Sequence, residues 1–200
     1  MNRLAGMGLL AAGLVTAPAA RAQSMSKPYK TVTAERVIDA PPGRVWEAMV
    51  GDYGEIANFS PYIYASTYEN GSLEGTLGAE RKCHFNAQGT RWSHERIAEI
   101  DPESMTMKNV IVDAAKFPLN LDNSYALYQV RDNGDGTSTA SYTFHYRTTP
   151  GFMTGLVKGN FQKTLDGTLI GLEHYVETGE RVNATTGNFA AIEKLAKQSP

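Results

Sequence analysis

The chain of 200 residues holds one cysteine, Cys83, and so cannot close an intramolecular disulfide in any compartment. Its stability must come from a packed core, and a chain of this length can bury one as a single domain. Lys and Arg form no cluster or basic stripe, which argues against nucleic acid as a partner. The apolar stretch from Leu4 to Ala17 stops short of the roughly 20 residues that a bilayer crossing requires. A Gly-rich phosphate loop, a Ser/His/Asp ordering and a spaced carboxylate pair are also missing, so none of those chemistries is indicated and no cofactor is implied. His84 and His94 fall near one another on neighbouring strands, but two imidazoles without a third ligand make a poor zinc site, and no metal is expected.

The first residues have a form of their own. Met1-Asn2-Arg3, the apolar stretch and Ala20-Arg21-Ala22 before Gln23 give the three parts of a secretory signal peptide, residues 1–22. Arg3 has no adjacent arginine, which favours the general secretory route over the twin-arginine one. No cysteine follows the cleavage site to carry a lipid. Cleavage would leave a polar leader, 23–29, and would lower Lys+Arg from 19 to 17 against 21 acidic residues, a net charge near −4. The expectation is a secreted protein, placed in a bacterial periplasm. Asn58-Phe59-Ser60 and Asn183-Ala184-Thr185 match the glycosylation sequon, which carries little weight in a bacterial setting.

Hydrophobic periodicity orders the rest. Alternation predicts strands over 31–38, 63–68, 78–85, 91–100, 105–113, 124–131 and 137–148, divided by Asn70-Gly71, Gln88-Gly89, Asp101-Pro102 and Asn133-Gly134-Asp135-Gly136. Between the first two strands, short helices are predicted over 44–50, after Pro41-Pro42, and over 56–62, with Trp46 read as packing. The period then changes. Val157, Phe161, Leu165, Leu169, Leu172 and Val176 recur at three and four, the mark of a long amphipathic helix. Gly155, Gly159, Gly167 and Gly171 interrupt it, and each interior glycine costs up to about 1 kcal/mol against alanine. That cost implies either close backbone approach or a helix that bends. Residues 180–200 read as a polar tail with one weak amphipathic turn at Phe189, Ile192 and Leu195. The order of elements predicts an α+β layer: an antiparallel sheet of seven strands packed on one dominant helix, in a single domain over 30–179.

One hairpin concentrates the polar chemistry. A three-residue loop centred on Gln88 sets Phe85 opposite Arg91, Cys83 opposite Ser93 and Arg81 opposite Glu95. Slipping the register by one residue would place Arg81 against Arg96, and like charges repel across a strand pair. The opposite face carries Glu80, Lys82, His84, Trp92, His94 and Arg96 and suits solvent. Arg81 and Glu95 are therefore expected to point inward with Cys83, Phe85, Ser93 and Ile97. From the pattern alone two readings stand: a charged anchor at the wall of a pocket, or a structural ion pair. On the last strand Tyr142, Phe144 and Tyr146 are expected inward. The opposite register would instead turn His145 into the interior as an acid or base. Met105 and Met107 are expected to alternate inward on the fifth strand as adaptable apolar filler.

The run Val37-Ile38-Asp39-Ala40-Pro41-Pro42, then Val45-Trp46, Gly78 with Arg81, Glu95-Arg96-Ile97 with Ile100-Asp101, Tyr125 and the C-terminal amphipathic helix resembles the START-like (SRPBCC) superfamily. The nearest branch is the bacterial polyketide cyclase/dehydrase group. The resemblance covers residues 29–179 and implies a helix-grip fold: a curved seven-stranded antiparallel sheet around a long C-terminal helix, with two short helices and an apolar cavity between sheet and helix. It further implies that Arg81, Cys83, Phe85, Ser93, Glu95 and Tyr125 line the cavity, which favours the pocket reading of the hairpin. By the same resemblance, residues 87–90 and 113–123 flank the mouth. Ser60 stands where related hormone receptors place a lysine, and their proline-containing gate is missing, so hormone recognition is not implied.

These readings converge on an exported protein whose partner is a small hydrophobic molecule: a lipid, isoprenoid, quinone or polyaromatic. Arg81 and Glu95 would hold its polar end, and Phe85, Met107, Tyr125, Phe144, Leu165 and Leu169 its body. The alternative is a cyclase or dehydratase in which Glu95 acts as base, Arg81 stabilises an enolate and His145 is a further candidate. A raised Glu95 pKa would favour the enzyme, a depressed one the binding role. A protein-interaction module with a filled core is the third possibility.

Overall fold

A computed structural model of the protein describes residues 29–198. The expected signal peptide, 1–22, and the polar segment up to residue 28 lie outside them. Seven strands form one antiparallel sheet: β1 (Lys30–Ile38), β2 (Ala65–Glu69), β3 (Glu80–His84), β4 (Trp92–Asp101), β5 (Thr106–Ala115), β6 (Tyr125–Asp132) and β7 (Ser138–Tyr146). Their order across the sheet is β1-β7-β6-β5-β4-β3-β2, so every strand from β2 onward neighbours its successor and only β1 departs from that sequence. It departs because the chain crosses the sheet after Ile38. Pro42 opens the five-residue helix α1 (Pro42–Trp46), with its fixed φ suited to a first turn. The helical path continues through a π turn, Glu47–Gly51, into a 3-10 segment, Tyr53–Asn58. The second short helix thus lies earlier than the expected 56–62, because Phe59 leaves helical geometry at φ −137°.

Two bulges shape the sheet. Between β4 and β5 the register shifts at His94/Glu95, where β5 carries the extra residue Val112, and again at Ile97/Glu99, where β4 carries Ala98. An extra residue bends its strand and raises the local twist. Both bends fall on the central strand pair, and the sheet curls around α2 (Lys158–Thr178). That helix buries Leu165, Leu169, Leu172 and Val176 in the main core with Ile38, Val45, Ile97, Met107 and Phe144.

The glycines of α2 divide by role. A methyl group at Gly171 would overlap the Phe59 carbonyl oxygen, and one at Gly167 would overlap Tyr62, so the 59–62 turn lies directly on the helix backbone. Close approach accounts for those two. Gly159 meets nothing, and Gly155 belongs to the preceding 3-10 turn, Gly151–Gly155.

The tail is more ordered than its composition predicts. Val182 is fully buried, its N–H donates to the Asn58 carbonyl, and the Ala184 N–H donates to that of Ile63. Helix α3 (Phe189–Ala196) then packs Ile192 against Ile170 and Val182 in a second small core. Leu195, expected on the apolar side, is exposed. Among the described residues no helix is long and apolar enough to cross a membrane.

Candidate functional site

The β3–β4 hairpin has the register that charge pairing favours, with Arg81 opposite Glu95 and Cys83 opposite Ser93. Its inner face is buried: Arg81 and Cys83 are 1% exposed, Ser93 0%, Glu95 8%. A guanidinium in that position needs a partner for its charge and for its N–H groups. Arg81 finds both. Its Nε and Nη2 donate to Glu95 Oε2 at 2.9 and 2.8 Å, its Nη1 to the Tyr53 carbonyl at 2.9 Å, and Nη2 also to the Tyr128 hydroxyl at 3.2 Å. The ring of Tyr53 lies beneath it, 4.1 Å from Cζ to the ring centroid. The other Glu95 oxygen accepts from Ser93 Oγ at 2.7 Å, and Oε2 also accepts from Asn109 Nδ2 at 2.9 Å. Tyr53 closes the circuit by donating to Asn109 Oδ1 at 2.5 Å.

This network fixes the charge states. Burial pushes the Glu95 carboxyl up, but the Arg81 guanidinium and the hydrogen bonds from Ser93, Arg81 and Asn109 outweigh it and hold the group below its usual range. Burial likewise works against the Arg81 cation, and Glu95 together with Tyr53, Tyr128 and Cys83 more than offsets it. Burial raises the hydroxyls of Tyr53 and Tyr128, which stay neutral, the first donating to Asn109 and the second accepting from Arg81.

The network forms one end of a cavity of about 490 Å³ between the sheet and α2. Arg81, Glu95 and Asn109 supply the polar end; Ile56, Ile63, Phe85, Ile111, Phe117, Ala126, Phe144, Phe161 and Leu165 supply apolar wall. Tyr142 also lines it, stacked on Tyr128 with ring centroids 4.3 Å apart. At the rim Phe85 stacks on Phe117 at 5.1 Å, and the exposed Arg91 lies over both rings at 5.9 and 5.4 Å. The base of the 87–90 loop and the segment after β5 therefore meet at the cavity. On the helix side Ser60 and Thr168, both buried, share a hydrogen bond of 3.1 Å.

Arg81, Phe85, Glu95, Phe144 and Leu165 thus border the cavity. Cys83 and Ser93 point inward but lie in the packed floor beneath it, where Ser93 serves Glu95. Met107 and Leu169 are core residues beyond the cavity; on β5 the lining positions are Asn109 and Ile111. Met105 is not on the strand at all, since it sits in the preceding turn at φ 49°. Tyr125 requires a correction. On β6 the inward set is Ala126, Tyr128 and Val130, so strand alternation turns Tyr125 to the convex face, where it stacks on His145 at 4.6 Å. His145 is on that outer face too, with Nδ1 3.0 Å from Thr31 Oγ1, because Tyr142, Phe144 and Tyr146 take the inward register. As an acid or base within the cavity, His145 is ruled out by this register.

Sequence reasoning missed Tyr53, Asn109 and Tyr128. A signal existed for two of them. The parity that turns Met107 inward also turns Asn109 inward, and 126/128/130 is the more apolar set on β6. Tyr53 had no such signal, since it sits in an irregular connection between helical turns.

A family model described as "Polyketide cyclase / dehydrase and lipid transport" matches residues 29–177, and the chain belongs to that family. A comparison with curated proteins finds no match. Among solved structures, XoxI from Bacillus cereus is 19% identical with a TM-score of 0.61, covering 74% of this chain and 96% of that one. A protein from Thermobifida fusca is 25% identical with a TM-score of 0.60, covering 76% and 95%. Truncated norcoclaurine synthase from Thalictrum flavum is 12% identical with a TM-score of 0.59, covering 78% and 98%. The shared architecture is the helix-grip fold: a curved antiparallel sheet of seven strands around a C-terminal helix.

Proposed function

We propose that this member of the polyketide cyclase/dehydrase and lipid transport family is exported and carries a small hydrophobic molecule, of lipid, isoprenoid, quinone or polyaromatic type, between sheet and α2. The observation that carries the reading is the cavity of about 490 Å³, within the size range of small-molecule sites and walled by aromatic and aliphatic side chains. Phe85, Phe144 and Leu165, joined by Phe117, Ile111 and Phe161, would enclose the ligand's body. Arg81 and Glu95 would set the polarity of its far end. The three-part pattern of residues 1–22 supports export.

The enzyme reading has less support. A cyclase or dehydratase needs a base facing the substrate, and Glu95 is the one carboxylate that borders the cavity among the described residues. Four hydrogen bonds and a lowered pKa make it a weak base at neutral pH. A filled interaction module would lack the cavity.

Native mass spectrometry of protein taken from its host's periplasm, followed by organic extraction, tests this reading. The expected result is a discrete bound mass that extracts as a hydrophobic compound, on a chain whose first residue is Gln23. An empty protein, or one holding only mixed bulk lipids, would return the weight to an enzyme with transient substrates. Recovery from the cytoplasm with Met1 intact would refute export.

A further inference from the structure

We propose that the cavity selects an uncharged ligand and that Ser60 and Thr168 bind its hydroxyl or carbonyl oxygen. The inference rests on the reading of the cavity as a binding site and narrows the chemistry that the site accepts.

The charged residues bordering the cavity are Arg81, Glu95 and Arg91. The first two neutralise one another, and Arg81 has little left to offer: of its five N–H groups, four are donated to Glu95, Tyr128 and the Tyr53 carbonyl. A ligand carboxylate brought to this end would lose its water, face the ionised Glu95 and find no free cation. Arg91 is exposed at the rim, where water already solvates it.

The helix wall differs. Thr164 and Thr178 of α2 send their hydroxyls to the carbonyl four residues back, at 2.9 and 2.6 Å, the usual habit of helical threonine. Thr168 instead reaches across to Ser60, at 3.1 Å. Both residues border the cavity and are 2–3% exposed. Of two hydroxyls sharing one hydrogen bond, one keeps a free O–H proton, and both oxygens keep acceptor capacity. Among the described residues no third side chain takes that proton. A donor left over in an apolar wall, 2–3% exposed, is costly until something accepts from it. A ligand hydroxyl or carbonyl oxygen would do so without bringing a charge.

The test uses the purified protein with a neutral fluorescent dye, N-phenyl-1-naphthylamine, in the cavity, displaced at pH 8 by three probes on one carbon skeleton: farnesane, farnesol and farnesoate. Farnesol is expected to bind at least about 10-fold tighter than farnesoate, given the desolvation and repulsion that the anion meets. The Ser60→Ala/Thr168→Val double variant is expected to cut farnesol's lead over farnesane about 5- to 10-fold, the worth of one hydrogen bond. Farnesane should bind it at least as tightly, which also reports an intact fold; Ser60→Ala/Thr168→Ala, which likewise removes both hydroxyls, serves if the valine variant does not fold. Farnesoate binding as tightly as farnesol would overturn the inference and leave the cavity reading standing. So would farnesoate binding that depends on Arg91, read from Arg91→Ala, since the charged head would then sit at the mouth. An undiminished farnesol lead in the double variant would overturn the Ser60–Thr168 assignment. If the dye shows no saturable binding, the cavity reading itself fails and this inference with it.

Discussion

Two arginine–glutamate pairs tie this fold together, and their carboxylates are shifted in opposite directions. Arg81 and Glu95 join β3 to β4 inside the sheet's curl, and Glu95 is held below its usual pKa. Arg36 of β1 meets Glu173 of α2 at 2.5 Å on the sheet–helix seam, with both side chains about one-fifth exposed. There burial dominates, Glu177 adds like charge, and the Glu173 pKa is raised in spite of Arg36. A single ion-pair contact is therefore not enough to lower a carboxylate's pKa. Glu95 accepts from Arg81 twice, from Ser93 and from Asn109. Glu173 accepts from Arg36 alone among the described residues. The number of donors aimed at the anion decides which side of desolvation wins.

The largest test of that contrast removes the cation from each pair. Arg81→Ala would strand Glu95 in the interior and take donors from Tyr53 and Tyr128, a loss of about 3–5 kcal/mol for a broken buried pair. Arg36→Ala, at the partly solvated seam, should cost at most about 1 kcal/mol. Urea unfolding of both variants at pH 7 measures the two losses directly. Equal losses would mean that the Arg81 network has no special weight. The outcome also bears on what Arg81 does. A large stability loss makes it first a part of the floor on which the ligand would rest, and only secondarily a ligand contact.

That dual role explains which parts of the site were legible in the sequence. Alternation and charge complementarity located the hairpin register, the inward face and the pairing of Arg81 with Glu95, because strand parity and Coulomb attraction act between near neighbours. The long helix declared itself by its period. The network's remaining members are distant in sequence: Tyr53 offers a backbone carbonyl from an irregular turn, and Asn109 reaches Glu95 beside a bulge that no periodicity announces. Tyr125 differs for a related reason: the resemblance implies an inward position, whereas the parity of Ala126, Tyr128 and Val130 turns it outward. The composition of the tail conceals its docking, since two buried side chains, Val182 and Ile192, pack on Ile170 of α2 while the segment is otherwise polar.

Replacing the acids separates the pairs by pH. Glu95→Gln keeps the shape but leaves the buried Arg81 cation without a counter-charge, and should cost about 3–5 kcal/mol at pH 7, the range for a broken buried pair. Because the folded Glu95 pKa is depressed, its contribution is complete above the unfolded value of about 4.3. It fades as pH falls below that value through the folded one. The gap between wild type and Glu95→Gln should therefore hold constant from pH 7 to about 4.5 and close below it. A gap that instead widens between pH 7 and 5 would mean that the carboxylate titrates high and is available as a base, reviving the enzyme.

The smallest effect carries the opposite sign. With its folded pKa raised, Glu173 takes up a proton in the native state before it does so in the unfolded chain. Its ionised form is thus a burden at neutral pH. The burden lifts as pH falls through the raised value toward about 4.3, below which both states are protonated and nothing further changes. Glu173→Gln is permanently neutral and should be as stable as wild type at pH 7 or more so, by about 0–1 kcal/mol for a partly exposed pair. That lead should shrink on acidification and vanish near pH 4.3, as read from urea midpoints at pH 7, 5.5 and 4.3. If Glu173→Gln is instead the weaker protein at pH 7, Arg36 outweighs burial at the seam, and the two pairs differ in degree rather than in kind.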